Sequence, residues 1–329
     1  MPEKPRKTDP VPSIVPGSHP IESKSYIIET PAISVLCDDI GLHIRNRATG
    51  AMIAGRKRIG KSFGIVFAAK VMAERFPGLP IGTFELAPDT RVSQQSFLED
   101  FLEDIGSSLI KNGRNPDKRR RIINFIHQKA TACSYSAYLL FIDEAQVLQE
   151  MHYRWLIYIS NRLKRRGVDL IVLLIGQDEL FAYRAALVQG QKNEIVGRFM
   201  SMVSHFHGIQ TLGQLKACLK SYDEASEYPA GSGCSFVRFY LPKAFDAGWR
   251  MESLSELIWS AFRHASRSET NAEEREIPMQ HFCRTAERIL MELASPTVLV
   301  PDASPELIAE AVNASGYPQQ FSFAVTKPR

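Results

Sequence analysis

The chain has 329 residues, of which 44% are hydrophobic and 23% are charged, and its formal net charge is +4. This composition is typical of a soluble globular protein, and the absence of any run of about 18 apolar residues argues against a membrane-spanning protein. The N-terminus lacks the apolar segment of a signal peptide, and the five cysteines are scattered without metal-ligand spacing. We therefore expect reduced thiols and a cytosolic location.

The first two thirds of the chain alternate between strand and helix patterns. Residues 1–22 are rich in proline and predict a disordered tail, and a helix is predicted to begin with Pro at residue 31. Strands are then predicted at 52–54, 81–86, 138–142, 168–175 and 200–207, and helices at 93–111, 117–133, 151–166 and 179–189. This order predicts an α/β fold with a parallel sheet that is covered on both faces by helices.

The last third has a different character. Helices are predicted at 212–225, 254–265, 279–293 and 305–313, with one short strand or extended piece at 235–241. We therefore predict a core domain over 23–209, a smaller helical lid domain over 210–295 and a C-terminal tail over 296–329. The two tails are either candidate partner-docking segments or disordered ends without a function.

Residues 55–62, GRKRIGKS, fit the phosphate-binding loop pattern G-x-x-x-x-G-K-S. Backbone N–H groups of such a loop surround a phosphate, and the following helix adds the positive end of its dipole. Lys61 would reach the β- and γ-phosphates of ATP, and the Ser62 hydroxyl would ligate Mg²⁺. A chance match is the alternative, but the flanking strand and helix patterns favour the functional interpretation. The predicted nucleotide contacts are Gly55, Arg58, Ile59, Gly60, Lys61, Ser62 and Phe63.

Two carboxylates follow the apolar run at 138–142. This run predicts a buried parallel strand that ends in Asp143 and Glu144. Ligands of open α/β sheets bind at the carboxyl ends of the strands, so Asp143 would hold Mg²⁺ together with Ser62. Glu144 would polarise a water for attack on the γ-phosphate. Such a pair is often structural, but combined with the loop it makes nucleotide hydrolysis the leading hypothesis.

Basic residues form two clusters. Lys111, Arg114 and residues 118–121 make up the first, and Arg162 with residues 164–166 makes up the second. Clusters of this kind contact nucleic-acid phosphates, or they are solvated helix faces and ends. Sequence pattern by itself favours the solvated interpretation.

A small helical domain after a phosphate-loop sheet resembles the AAA+ ATPases, and this resemblance implies three further site residues. Gln177, which ends the strand after the acidic one, would contact the γ-phosphate or the attacking water, although a turn or capping role is the alternative. Arg198 would be supplied to the nucleotide of the neighbouring subunit, with Arg162 and Arg184 as rival candidates. Arg250, at the start of a lid helix, would contact the γ-phosphate.

Within the AAA+ ATPases, the chain is similar to the TniB/TnsC group of transposition regulators. The similarity rests on the DEAQ segment at 143–146, Gly176–Gln177, Gly197–Phe199 and the Gly248 turn, and it extends over about residues 25–290. The compact layout resembles the TnsC proteins of transposons with CRISPR-guided targeting. The chain departs from many relatives at Gln177, where they have a small hydroxyl residue, and after Gly248, where they have a Gly-x-Ile/Leu-Gly turn.

The resemblance implies a bacterial, DNA-associated cytosolic ATPase that uses ATP and Mg²⁺. It would form a homo-oligomeric ring or helical filament on duplex DNA and link a target-selecting protein, or a CRISPR effector complex, to a transposase. The DNA backbone contacts that it implies are Lys111, Arg114, Lys118, Arg119 and Arg121. Two other hypotheses stay open: a scaffold ATPase that acts only on protein partners, and a monomeric phosphoryl-transfer enzyme with the same loop.

Overall fold

The computed structural model describes residues 11–87, 91–266 and 276–319. These residues form two compact units. The first, called the sheet unit below, contains Val35–Lys57 and Lys61–Phe206. The second, called the helical unit, contains residues up to Ser34, the short stretch Arg58–Gly60, and the chain from His207 onward.

Strands and helices alternate in the sheet unit. The strands are β1 (Gly50–Ala54), β2 (Ile81–Glu85), β3 (Ala137–Asp143), β4 (Asp169–Gly176) and β5 (Met202–His205). The α-helices of the described chain are α1 (Pro20–Ser23), α2 (Pro31–Arg45), α3 (Lys61–Arg75), α4 (Gln94–Asp104), α5 (Asn115–Thr131), α6 (Glu150–Lys164), α7 (Glu179–Gln189), α8 (Asn193–Phe199), α9 (Leu212–Lys220), α10 (Phe236–Tyr240), α11 (Pro242–Asp246), α12 (Ser255–Ser266), α13 (Met279–Leu293) and α14 (Pro305–Ala314). Short 3₁₀ turns span Ala145–Val147 and Met251–Leu254, and a π-turn spans Ser221–Ala225.

The five strands form one parallel sheet in the order β2-β3-β4-β1-β5. The central strands β1, β3 and β4 are almost wholly buried because their sequences are continuous apolar runs, whereas the edge strands are more exposed. Ala54 pairs with Gly176 and with His205, and Glu85 pairs with Asp143, so the carboxyl ends of the strands share one edge. The predicted α/β fold with a parallel sheet flanked by helices is confirmed.

Helices pack on this sheet through apolar residues at helical spacing. In α5 the buried apolar residues are Ile122, Ile123, Ile126 and Ala130, which lie on one face of the helix. In α6 the same spacing buries Tyr153, Leu156, Ile157, Ile159 and Leu163. The aromatic and aliphatic side chains of these faces join those of the strands in one hydrophobic core. The core fixes the strand ends that carry the predicted site residues.

The helical unit has its own core, and the N-terminal segment contributes to it. His19 and Ile21 are fully buried, and the His19 ring lies 4.5–5.3 Å from four aromatic rings, those of Tyr228, Phe236, Phe239 and Tyr240. Burial lowers the pKa of His19 to about 4, so the imidazole is neutral near pH 7. The ordered part of residues 11–22 thus differs from the predicted disordered tail, and residues 1–10 lie outside the described chain.

Two further segments differ from their predictions. Residues 235–241 are predicted as a short strand or extended piece, but Phe236–Tyr240 is a helix. The Ser235 hydroxyl accepts a hydrogen bond from the Arg238 N–H (3.2 Å) and caps this helix. In the predicted tail 296–329, α14 packs against α12 and α13, and its Ile308 is buried. Residues 320–329 lie outside the described chain.

None of the helices in the described ranges has both the length and the apolar character that crossing a membrane requires.

Candidate nucleotide site and basic surface

The predicted phosphate loop starts at the carboxyl end of β1. The Gly55 N–H donates to the carbonyl of Gly176 at the end of β4 (3.2 Å), which ties the loop to the neighbouring strand. Arg58 and Gly60 have φ values of 67° and 98°, and α3 begins at Lys61. Left-handed backbone at Gly60 favours glycine, which explains the fixed glycine of the motif in physical terms.

The Lys61 ammonium is directed into the curve of the loop. Its Nζ donates to the carbonyl of Gly55 (2.8 Å) and to that of Arg56 (2.7 Å), and the residue is buried. Burial lowers the pKa of Lys61, and the carboxylates of Glu144 and Asp143 act in the opposite direction. A buried cation held by two neutral carbonyls at a helix N-terminus is well suited to bind a phosphate.

Asp143 and Glu144 lie together at the end of β3. The Asp143 Oδ1 accepts a hydrogen bond from the Glu144 N–H (2.8 Å). Glu144 has φ 47° and ψ 36°, a left-handed conformation that costs a residue with a side chain about 1 kcal/mol or more. Such strain is concentrated at functional sites because the surrounding structure has to enforce it.

Two glutamine amides hold the Glu144 carboxylate. Glu144 Oε2 accepts from Gln177 Nε2 (2.9 Å) and also from Gln146 Nε2. The Gln146 Oε1 in turn accepts from the Gln177 backbone N–H (2.9 Å). The structure therefore brings the Gln177 amide to Glu144. Sequence reasoning assigned no role to Gln146, although this residue ends the DEAQ segment.

These groups fit a magnesium nucleotide. Mg²⁺ usually takes one or two protein oxygens and keeps waters and substrate phosphates as its other ligands. Ser62, in the first turn of α3, and Asp143 supply such oxygens, and no group of three or more acidic, His or Cys metal ligands occurs in the described chain. Phe63 follows on α3 with 56% of its surface exposed. When bound, ATP would supply the phosphoryl group and Mg²⁺ would neutralise its charge.

Arg198 lies at the opposite edge of the sheet. Its carbonyl accepts from the hydroxyl of Thr49, which directly precedes β1 (2.8 Å), and its guanidinium donates to Asn161 Oδ1 (2.8 Å). Five residues of β1 separate this edge from the phosphate loop, or about 16 Å at 3.3 Å per residue. Arg198 lines a cleft of about 460 Å³ there with Lys164 and Asp169. The structure does not bring Arg198 to the phosphate loop of its own subunit.

The other candidate arginines have local partners. In the sheet unit, Arg184 Nε donates to the carbonyl of Met200 (2.9 Å). In the helical unit, the Arg250 guanidinium donates to the carbonyls of Phe245 and Trp249, both at 2.7 Å, and lies 3.6 Å from the centroid of the Phe245 ring. Within its unit Arg250 stabilises the turn that follows α11.

The first basic cluster divides into exposed and structural residues. Lys111 and Arg114 are exposed. Arg119 is half-buried, with its guanidinium carbon 5.2 Å from the centroid of the Tyr158 ring, on which Arg162 also lies at 5.3 Å. The second cluster therefore meets the first at Tyr158, where α5 packs beside α6.

Lys118 and Arg121 correct the sequence-based expectation of DNA contacts. Lys118 is 2% exposed and forms an ion pair with Glu99, which holds the pKa of that carboxyl below its usual range. Arg121 donates to the carbonyls of Leu109 and Asn112 and thereby fixes the loop before α5. Both cations are engaged within the subunit because the helical turn directs them toward α4 and its loop.

Replacing Lys118 with Ala is expected to destabilise the fold. The substitution leaves the Glu99 carboxylate without its partner and removes a buried aliphatic stem, which together should lower the free energy of unfolding by about 2 kcal/mol. Urea denaturation measures this, with Lys111→Ala as the exposed control, whose effect should stay within about 0.5 kcal/mol. Equal stabilities of the two variants would contradict the structural role of Lys118.

Comparison with known proteins finds similarities to the sheet unit. Residues 44–183 match the family model described as AAA domain. The fold of the chain matches the ORC2 protein of Aeropyrum pernix, solved in ADPNP–ADP complexes, at 13% identity and a TM-score of 0.60, over 90% of this chain and 71% of that chain. The parallel five-stranded sheet with a helical C-terminal region is thus an AAA+ fold.

Two further solved structures show weaker matches. The ORC1 protein of A. pernix in complex with DNA is 12% identical, with a TM-score of 0.47 over 90% of this chain and 68% of that chain. A Walker-type ATPase of Pyrococcus abyssi is 12% identical, with a TM-score of 0.49 over 92% of this chain and 77% of that chain. No curated protein matches the sequence. The segment that matches the AAA domain model contains residues 55–62, Asp143, Glu144 and both glutamines, whereas Arg198 lies beyond it.

Proposed function

We propose that the protein is an ATP-hydrolysing AAA+ regulator of DNA transposition that oligomerises on duplex DNA. The observation that carries this proposal is the division of charged groups between the two edges of the sheet. Lys61, Asp143 and Glu144 lie at the carboxyl edge, and Arg198 lies at the amino edge. An arginine so far from its own phosphate loop is suited to the nucleotide of a neighbouring subunit.

In this proposal ATP binds between two subunits. The backbone of Gly55, Arg58, Ile59 and Gly60 surrounds its phosphates, Lys61 contacts the β- and γ-phosphates, and Ser62 and Asp143 hold Mg²⁺. Glu144 and Gln177 orient the attacking water, and Arg198 of the next subunit stabilises the charge of the transferring phosphoryl group. The nucleotides in the A. pernix ORC2 structure support the assignment of ATP. We assign Arg250 no role here, since its Nη1 binds the carbonyls of Phe245 and Trp249.

The assignment to transposition rests on sequence similarity. The DEAQ segment, Gly176–Gln177 and Gly197–Phe199 resemble the TniB/TnsC regulators, and this resemblance supplies the proposed partners. These partners are a transposase and a target-selecting protein or CRISPR effector complex. The protein would connect them while assembled on DNA as a ring or filament.

The DNA surface that we propose uses three arginine and lysine side chains. Lys111 and Arg114 are exposed in the segment that precedes α5, and Arg119 lies in the second turn of that helix beside Tyr158. Such cations can contact phosphates without reading bases. Lys118 and Arg121 are left out because their charges are satisfied within the subunit.

Binding to random-sequence duplex DNA tests this function. With a non-hydrolysable ATP analogue, the affinity should fall steeply with salt, and each of Lys111→Ala and Arg114→Ala should reduce the log–log slope by about 0.9. Lys70→Ala, an exposed lysine on α3 outside both basic clusters, is the matched control and should leave the slope unchanged. Fluorescence anisotropy at several salt concentrations measures the slope. Lack of affinity for the duplex would contradict DNA binding and favour a scaffold that acts on protein partners, and affinity that is independent of salt would contradict contacts to the phosphate backbone.

A further inference from the structure

Gln146 occupies a special position beside the acidic pair. It lies in the 3₁₀ turn that follows Glu144, and both the nitrogen and the oxygen of its amide form hydrogen bonds. The Nε2 donates to Glu144 Oε2, and the Oε1 accepts from the Gln177 N–H (2.9 Å). Because Gln177 Nε2 also donates to Glu144 Oε2 (2.9 Å), Glu144, Gln146 and Gln177 form a ring of hydrogen bonds that closes through the Gln177 backbone N–H.

This ring determines the orientation of the Gln146 side-chain amide. The Gln177 backbone N–H can only donate, so it has to face the Gln146 oxygen, and the Gln146 nitrogen then has to face the carboxylate. A glutamate at this position would put a like charge against Glu144, and a methionine would make neither hydrogen bond. The arrangement therefore requires an amide with the reach of glutamine.

Packing holds the amide in place as well. A Cβ atom on Gly176 would lie 2.4 Å from Gln146 Oε1 and 2.5 Å from Leu180 Cδ1, far inside van der Waals contact. The absence of a side chain at Gly176 thus leaves room for the Gln146 amide against the end of β4. A methyl group there would displace the flexible ends of both side chains while leaving the glutamine in the sequence.

We propose that Gln146 is a positioning residue for ATP hydrolysis, an inference that rests on the proposed ATPase function. The two amides occupy Oε2 and leave Oε1 of Glu144 as the oxygen that accepts the proton of the attacking water. Proton transfer to a carboxylate is efficient only when that oxygen is held at hydrogen-bond distance and angle from the water. Gln146 also connects Glu144 to the end of β4, because its amide binds both the Glu144 carboxylate and the Gln177 N–H. Gln146 itself does not touch the nucleotide.

Steady-state hydrolysis and equilibrium ATP binding test this role in the full-length protein with duplex DNA. Gln146→Met should lower kcat about tenfold or more, while KM and the Kd of a fluorescent ATP analogue stay within about twofold. Gln146→Glu should lower kcat further. Gly176→Ala should reproduce the Gln146→Met result because it displaces the same amide. Gln189→Ala, an exposed glutamine at the end of α7, is the control and should behave as wild type.

The outcomes separate this inference from the function on which it rests. Wild-type kcat in Gln146→Met, when Glu144→Gln is inactive, would overturn the role of Gln146 and leave the ATPase function standing. A parallel loss of ATP affinity and kcat would show a general structural role and would also overturn it. If the wild-type protein neither binds nor hydrolyses ATP, the proposed function fails, and the role of Gln146 fails with it. Thermal unfolding of each variant identifies any that does not fold, and Gly176→Ala then replaces Gln146→Met as the test.

Discussion

Replacing Lys61 with alanine is expected to weaken ATP binding at least about 100-fold and to abolish ATP-dependent binding to DNA. The Lys61 ammonium is buried, and it donates to the carbonyls of Gly55 and Arg56 within the loop. Alanine removes the ammonium that would bind the phosphate, so nucleotide affinity should fall. The two carbonyls also lose their donor, so the free energy of unfolding should fall by about 1–2 kcal/mol.

Equilibrium titration with a fluorescent ATP analogue measures the first effect, and anisotropy with labelled duplex measures the second. Lys70→Ala is the matched control because it removes an exposed lysine from the same helix. Thermal unfolding without nucleotide shows whether each variant is folded at the temperature of the titration. Tight ATP binding by Lys61→Ala would show that residues 55–62 are not a phosphate-binding loop.

Glu144→Gln is expected to keep nucleotide binding and DNA-bound assembly but to lower turnover by about 100-fold or more. Glutamine has the shape of glutamate but cannot accept a proton from the attacking water. It can still accept a hydrogen bond from the Gln177 amide, so the local structure should persist. Because hydrolysis would release the assembly, the variant should also stay on DNA longer in the presence of ATP.

Phosphate release under saturating ATP measures turnover, and the dissociation rate from labelled duplex measures the lifetime of the assembly. Comparison with Lys61→Ala separates failure to bind from failure to hydrolyse. Wild-type turnover by Glu144→Gln would mean that another group activates the water.

Local pattern was sufficient for the sheet and for the turn at residues 55–62 that leads into α3. The strands β3 and β4 are continuous apolar runs, and such runs in alternation with amphipathic helices leave few other arrangements. The fixed residues of the loop follow from backbone conformation, as the left-handed φ of Gly60 shows. These features depend on neighbours in the chain and could therefore be predicted.

The features that sequence reasoning missed depend on distant neighbours. Lys118 has the same appearance as Arg119 in the sequence, yet its pairing with Glu99 on α4 buries it. His19 is buried because four aromatic rings from beyond residue 227 surround it. Gln146 can bind the Gln177 N–H only because the end of β4 lies beside the end of β3. In each case the deciding partner is set by tertiary structure.

In the proposed assembly each nucleotide site is shared by two subunits, and mixing two inactive variants tests this sharing. Lys61→Ala subunits still present Arg198, and Arg198→Ala subunits still bind ATP, while each variant by itself should be inactive, since an arginine supplied in trans is worth about 10³-fold or more in turnover. In an equal mixture that assembles head to tail at random, about one quarter of the sites should combine an intact loop with an intact arginine. The ATPase activity of the mixture should therefore recover to about one quarter of the wild-type rate. A mixture that stays as inactive as its components, or full activity of Arg198→Ala by itself, would contradict a site shared between subunits.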